Sequence, residues 1–162
     1  MTNKVYCPIK ETPSFEELIQ IILEGFNNLQ LPTNQLIVGV LAKPTGLDLQ
    51  KTFIYVNELY KHLFCWVSFS YFAPELRRDE QMDLPVMAGV QTRGEKDQHF
   101  ANILAYILAK KLGRIIYDDS HLIQKKDIYG VHELEPFIHI AIKEIYTGGE
   151  MDKLVYGYDV NL

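Results

Sequence analysis

Cysteine is scarce in this chain. Cys7 and Cys65 are the only two among 162 residues, and they stand far apart. Two distant thiols make no disulfide framework, so a reducing cytoplasm is the expected setting. Long apolar runs are missing as well. None approaches the roughly 20 residues that a membrane-spanning helix needs, so no membrane partner is expected. The opening residues, Met1-Thr2-Asn3-Lys4-Val5-Tyr6, lack a basic region followed by an apolar stretch, and no secretory leader is read from them. The familiar catalytic signatures are also missing. Lys43-Pro44-Thr45-Gly46 has a lysine and a glycine without the G-x-x-x-x-G-K-[ST] spacing that cradles phosphate, and neither G-x-G-x-x-G nor G-x-S-x-G occurs. Neither cysteine stands in a nucleophile motif, and Cys65 lies in an apolar run, where a buried thiol is inert. The expectation is a binding protein with no cofactor rather than an enzyme.

Charge of one sign is short too, but only in one part of the chain. The formal net charge is −5. Residues 1–116 hold 12 acidic and 12 basic side chains, whereas residues 117–162 hold 9 acidic and 4 basic, so the whole imbalance lies in the last third. Direct nucleic-acid binding needs a basic stripe, and none is visible. An acidic surface attracts a basic partner instead, or serves only solubility.

What is present is a core. Hydrophobic residues make up 48% of the chain, enough for one well-filled domain over residues 1–162. Val5 to Ile9 reads as a short strand ended by Pro8 and the turn that follows. Ser14-Phe15-Glu16-Glu17 is a capping box that opens a helix with Phe15, Leu18, Ile21, Ile22 and Phe26 on one face. Leu36 to Ala42 is an apolar run of strand length, Phe53 to Tyr60 is ambiguous, and Leu63 to Phe72 alternates as a strand does. Pro74 to Pro85 is a charged excursion, and Pro85 to Thr92 is a strand. Ala101, Leu104, Ala105, Leu108, Ala109 and Leu112 then share one face of a 3.6-residue period, with Ile103, Tyr106 and Ile107 as a second apolar stripe. Gly113 fits the left-handed position that ends such a helix. Ile115 to Tyr117 is a short strand, and Asp127 to Glu133 gives no clear pattern. Pro136 opens a last helix as its first-turn proline, Gly148 and Gly149 close it, and Leu154 to Tyr158 forms an edge strand. The order of elements predicts an α+β domain with a mixed, mostly antiparallel sheet packed against helices.

Asp118, Asp119, Ser120 and His121 leave the short strand as one polar cluster. Two carboxylates and an imidazole are the donor types that hold a divalent metal or share a proton, so a small metal-dependent hydrolase using Asp118, Asp119 and His121 is the alternative reading. The same residue types cap turns, and the spacing fits no metal signature, so capping or partner contact outweighs catalysis. His132 and His139 are seven apart, unlike the H-E-x-x-H pair that shares one helical face, and His139 reads as a half-buried core histidine. Tyrosines gather in the acidic third, and tyrosine gives large contact area at low entropy cost. The candidate partner-binding residues are therefore Tyr117, Asp118, Asp119, His121, Asp127, Tyr129 and Glu133. A self-associating domain is a third possibility.

The helix Phe100-Ala101-x-x-Leu104-Ala105-x-x-Leu108-Ala109-x-x-Leu112-Gly113, followed by Ile115 to Ser120, resembles small bacterial immunity proteins of polymorphic-toxin and contact-dependent growth inhibition systems. The aromatic strand from Trp66 to Phe72 and the turn from Gly94 to Asp97 belong to the same likeness, which covers residues 64–121. The resemblance implies a cytoplasmic protein that binds a cognate toxin domain and blocks its active site. A basic nuclease is one candidate toxin. The family shares a task rather than a set of functional residues, so the resemblance itself assigns no residue a role.

Overall fold

The computed structural model describes residues 3–40 and 53–146. The elements follow in the order β1 (Asn3–Ile9), α1 (Phe15–Asn28), β2 (Leu36–Val40), β3 (Ile54–Glu58), β4 (Leu63–Tyr71), β5 (Val86–Thr92), α2 (Gln98–Leu112), β6 (Ile115–Tyr117), β7 (Ile128–Gly130) and α3 (Val131–Ile145). Two short 3₁₀ turns, Pro74–Leu76 and Asp79–Gln81, shape the charged excursion between β4 and β5. The strands form one seven-stranded sheet in the order β2-β3-β4-β5-β1-β6-β7. The chain is thus an α+β fold, as its sequence predicts.

The sheet is antiparallel at every pairing, where a mixed sheet was expected. The reason lies in β1. The unit β5–α2–β6 returns its second strand in the same direction as its first, which alone would give a parallel pair. β1 sits between the two and runs against both. An element from the chain's start therefore splits what would have been its parallel step.

Burial alternates strictly along the central strands. Leu63, Cys65, Val67 and Phe69 of β4 are buried while Phe64, Trp66 and Ser68 are half-buried. The period of two sends the first set toward the helices. α2 lies across β1, β5 and β4, with α1 and α3 on its flanks. That position explains why Phe100 to Ala109 is buried without a break. Phe26 of α1 meets Phe100 of α2 edge to face at 6.2 Å. Ser14 caps α1, its Oγ accepting the Glu17 amide at 3.1 Å.

Four local expectations change. β1 begins at Asn3, two residues before the expected Val5, and runs through Pro8 to Ile9. Its contacts with the β6 side are sparse there, limited to Tyr6 opposite Tyr117 and a bridge from Ile9 to Gly113, so a residue without an N–H does little harm. Gly113 is extended, with φ −121° and ψ −158°, rather than left-handed. Glycine is needed for space, because a Cβ would run into the Cys7 sulfur and the Pro8 carbonyl. Phe53 to Tyr60 resolves into β3 and the turn after it. α3 begins at Val131, five residues before Pro136. Glu133 starts it by accepting the Gly130 amide at 3.2 Å. Pro136 then lies exposed in the second turn, where only the His132 carbonyl loses a partner. The segment 43–46, the helix stop at Gly148 and Gly149, and the strand expected at 154–158 lie outside the described residues. No helix among the described residues is long and apolar enough to cross a membrane.

Candidate functional site

β6 hands the chain to a ten-residue loop, 118–127, before β7 returns beside it. Asp118 organises this loop from within. Its side chain is fully buried, and its two carboxylate oxygens accept the Leu122 and Ile123 amides, each at 2.8 Å. Its own amide donates to the Asp127 carbonyl at 2.7 Å, and its carbonyl accepts the His121 amide at 3.0 Å. Burial pushes the Asp118 carboxyl above its ordinary value, and the two amides and His121 offset part of that rise. His121 adopts a left-handed φ of 54°, a conformation histidine tolerates better than most side chains. Its Nε2 lies 2.5 Å from Asp127 Oδ1.

The structure therefore distributes the seven candidate residues instead of gathering them. Asp118 faces inward as a loop staple and offers no surface for a partner, a correction to its expected contact role. Tyr129 is also buried, with its ring edge to face against Phe137 at 5.9 Å, and it too is withdrawn from the surface. The hydroxyl of Tyr129 is pushed above its ordinary value, first by burial and then by the charge of Asp118. His121, Asp127 and Glu133 are exposed on the loop and on the first turn of α3. Neighbouring side chains hold two of the carboxylates. Asp127 faces His121, and Glu133 is bonded to Lys126, which together with the Gly130 amide holds the Glu133 carboxyl below its ordinary value. The acidic third is thus less available as bare charge than its composition implies.

Tyr117 and Asp119 go elsewhere. The three helices cover one face of the sheet, and among the described residues no helix lies over the other. That open face carries Tyr6, Tyr55, Phe64, Trp66 and Tyr117, all half-buried. Tyr117 stands directly across from Tyr6, the pair joining β6 to β1. The excursion between β4 and β5 folds over this end of the face and leaves a groove of about 530 Å³, lined by residues that include Tyr6, Tyr71, Met87, Tyr117, Arg78 and Asp119. The charge of Asp119 adds to burial in raising the Tyr6 hydroxyl above its usual value.

The excursion is tied down at several points. Arg77 donates to the Phe72 carbonyl at 2.8 Å and to the Met82 carbonyl at 3.0 Å. Arg114 donates to the Glu80 carbonyl at 2.9 Å and pairs with Asp83 at 3.2 Å. The Tyr117 hydroxyl donates to the buried Gln81 side chain. Phe72 presses edge to face on Tyr117 at 6.4 Å. The charged composition of this excursion does not signal its part in the site. The signal was there in Phe72 and Gln81, whose burial anchors the segment, but no periodicity marks isolated residues.

Asp118, Asp119 and His121 do not converge on one centre. Among the described residues no three histidine, cysteine or carboxylate side chains form a metal-binding group. His139 is exposed on α3, not half-buried, and His132 lies beside Glu135 at 3.5 Å. Both cysteines are buried; burial alone pushes the Cys7 thiol up to about 12, and burial with the charge of Asp97 pushes the Cys65 thiol higher still. Compared with protein-family models, with curated proteins and with solved structures, the chain matches none.

Proposed function

We propose that this chain is a protein-binding module of the immunity type, with a cognate toxin domain as its partner. The observation that carries the reading is the groove. It sets tyrosines, a methionine, an arginine and one carboxylate on a rigid sheet floor. Aromatic residues, methionine and arginine are the side chains enriched where proteins meet proteins. Tyr117 is held by Gln81 and Phe72, so little rotamer freedom is left to lose on binding. The loop 118–127 adjoins the groove, and its exposed His121 and Asp127 extend the contact surface.

The test is calorimetry of the full chain with the product of the neighbouring upstream gene. Sub-micromolar affinity is expected. Tyr117→Ala and Asp119→Lys each weaken it by about tenfold or more, as anchors of a compact interface do. Glu16→Lys, on the exposed face of α1, leaves it unchanged. A neighbouring product without a toxin domain, or affinity indifferent to both groove variants, would overturn the assignment.

A further inference from the structure

The two edges of the sheet are built differently. β7 is three residues long, runs straight into α3 and has the Lys126–Glu133 pair beside it. β2, Leu36-Ile37-Val38-Gly39-Val40, pairs only with β3 among the described residues. Among the described residues no strand pairs with the backbone donors and acceptors of its other side. Native edges of this kind are usually guarded by lysine, proline or a bulge. β2 has no charge and no proline, and its five residues pair with β3 without interruption.

The side chains of β2 are half-finished in the same way. Leu36, Val38 and Val40 pack against the core yet stay only partly buried. Ile37, on the open face, is 44% exposed. Exposed Phe53 stands near one end of the edge, and exposed Leu59 and Tyr60 near the other, where the Leu59 amide donates to the Gln35 carbonyl at 2.9 Å. The nearest large apolar side chains thus continue the edge rather than shield it.

We propose that β2 pairs with β2 of a second copy of this chain, antiparallel about a two-fold axis at Val38, joining the two sheets into one. The strand is self-complementary in that register. On the helix side, Leu36 meets Val40 of the second copy and Val38 meets its equivalent, so each contact is apolar on apolar. On the open face, Ile37 falls opposite Gly39 of the second copy. The Tyr55 ring already lies over it, so closely that a Cβ on Gly39 would overlap the ring. Ile37 of one copy therefore packs against Tyr55 of the other without a clash across the strands. Cross-strand pairing of a β-branched and an aromatic side chain is a favourable arrangement, and here it occurs twice by symmetry. Charge favours the same edge. Two copies each carrying −5 repel as whole molecules, whereas β2 brings no charge to the contact.

Sedimentation equilibrium on the full chain tests the pairing. A monomer–dimer equilibrium in the micromolar range is expected. Ile37→Lys places two lysines on one face of the joined strands and raises the dissociation constant by about tenfold or more, since like charges brought together oppose association. Because Ile37 is largely exposed, the variant's thermal midpoint at low protein concentration stays that of the parent. Amide exchange of the parent chain provides a second reading that needs no variant: β2 amides gain protection with rising protein concentration, while β7 amides do not. A monomer at every concentration, a dimer that Ile37→Lys leaves intact, or assembly that continues past two copies would each overturn the proposal.

Discussion

Two turns in this molecule share a plan. At the end of β3, Glu58 is buried, and its carboxylate accepts the Tyr60 amide at 3.0 Å and the Lys61 amide at 2.6 Å. His62 follows with a left-handed φ of 54°. At the end of β6, Asp118 is buried, its carboxylate accepts two amides, and His121 takes the same φ of 54°. In each case a strand ends on an acid whose oxygens stand in for the missing ladder partners of the turn. The difference is length. The first turn is short and closes β3 onto β4 at once. The second holds a ten-residue loop and leaves Asp119 beside a groove. The same staple serves bare connectivity in one place and the positioning of exposed side chains in the other.

Removing the staples gives the largest effects. Glu58→Ala and Asp118→Ala each strand two part-buried amides, and each is expected to cost about 2–4 kcal/mol in denaturant unfolding. Partner binding separates the two. Asp118→Ala weakens it, because Asp119 and His121 lose their frame, whereas Glu58→Ala lowers stability alone. Equal loss of binding in both variants would mean that the loop plays no special part.

A middle-sized effect comes from keeping the shape and changing the chemistry. Asp118→Asn retains one acceptor and turns an NH₂ toward the other amide, at a cost of about 1–3 kcal/mol near neutral pH. Its pH dependence carries a sign. The folded Asp118 carboxyl sits above its ordinary 3.8, so the native state holds that proton more tightly. Stability from this group therefore falls as pH rises through the raised folded value, and the gap between parent and Asp118→Asn narrows over that window. Glu133 runs the other way. Its folded value lies below the ordinary 4.5, so its contribution is present above that value and fades as acid takes the pH through the folded one. Glu133→Gln should remove that acid-side slope in melts recorded across the range. The change is small, because the pair is exposed to water.

The smallest effect sharpens the comparison of the histidines. Glycine adopts a left-handed φ without the steric cost that histidine bears. His62→Gly is expected to stabilise by a few tenths of a kcal/mol, about the size of such relief after the added freedom of the unfolded chain is counted. His121→Gly gains the same relief but loses the contact with Asp127, so its thermal midpoint stays level or drops.

Much of this architecture is legible in the sequence where periodicity is long. The α2 stripe, the alternation of β4 and the serine before α1 each repeat a physical signal, and each element stands where that signal puts it. The site is less legible because its determinants are single residues. Asp118 and Asp119 are neighbours of the same type, yet one is a buried staple and the other lines the groove. Nothing local distinguishes them, since the strand's alternation decides which one turns inward. Pro136 shows the same limit. Its first-turn preference is genuine, but the Glu133 bond to Gly130 begins the helix earlier, and the proline is tolerated on the solvent side. That the sheet, expected to be mostly antiparallel, has no parallel pair was hidden for another reason. Only the insertion of β1 between β5 and β6 sets it, and that is a pairing between distant parts of the chain.

That insertion has a consequence for how the molecule comes into being. Of the seven described strands β1 is synthesised first, yet its main neighbour is β5, with Asn3 opposite Thr92, and its other neighbour arrives only with Tyr117. β2 to β5 can zip together as successive hairpins while β1 waits unpaired with most of the chain still to come. Closing so long a loop late makes the seating of β1 the slow step of folding. Until then the β1-facing edge of β5 stands unpaired, so this chain is most exposed to misassembly between the completion of its meander and the capture of β1.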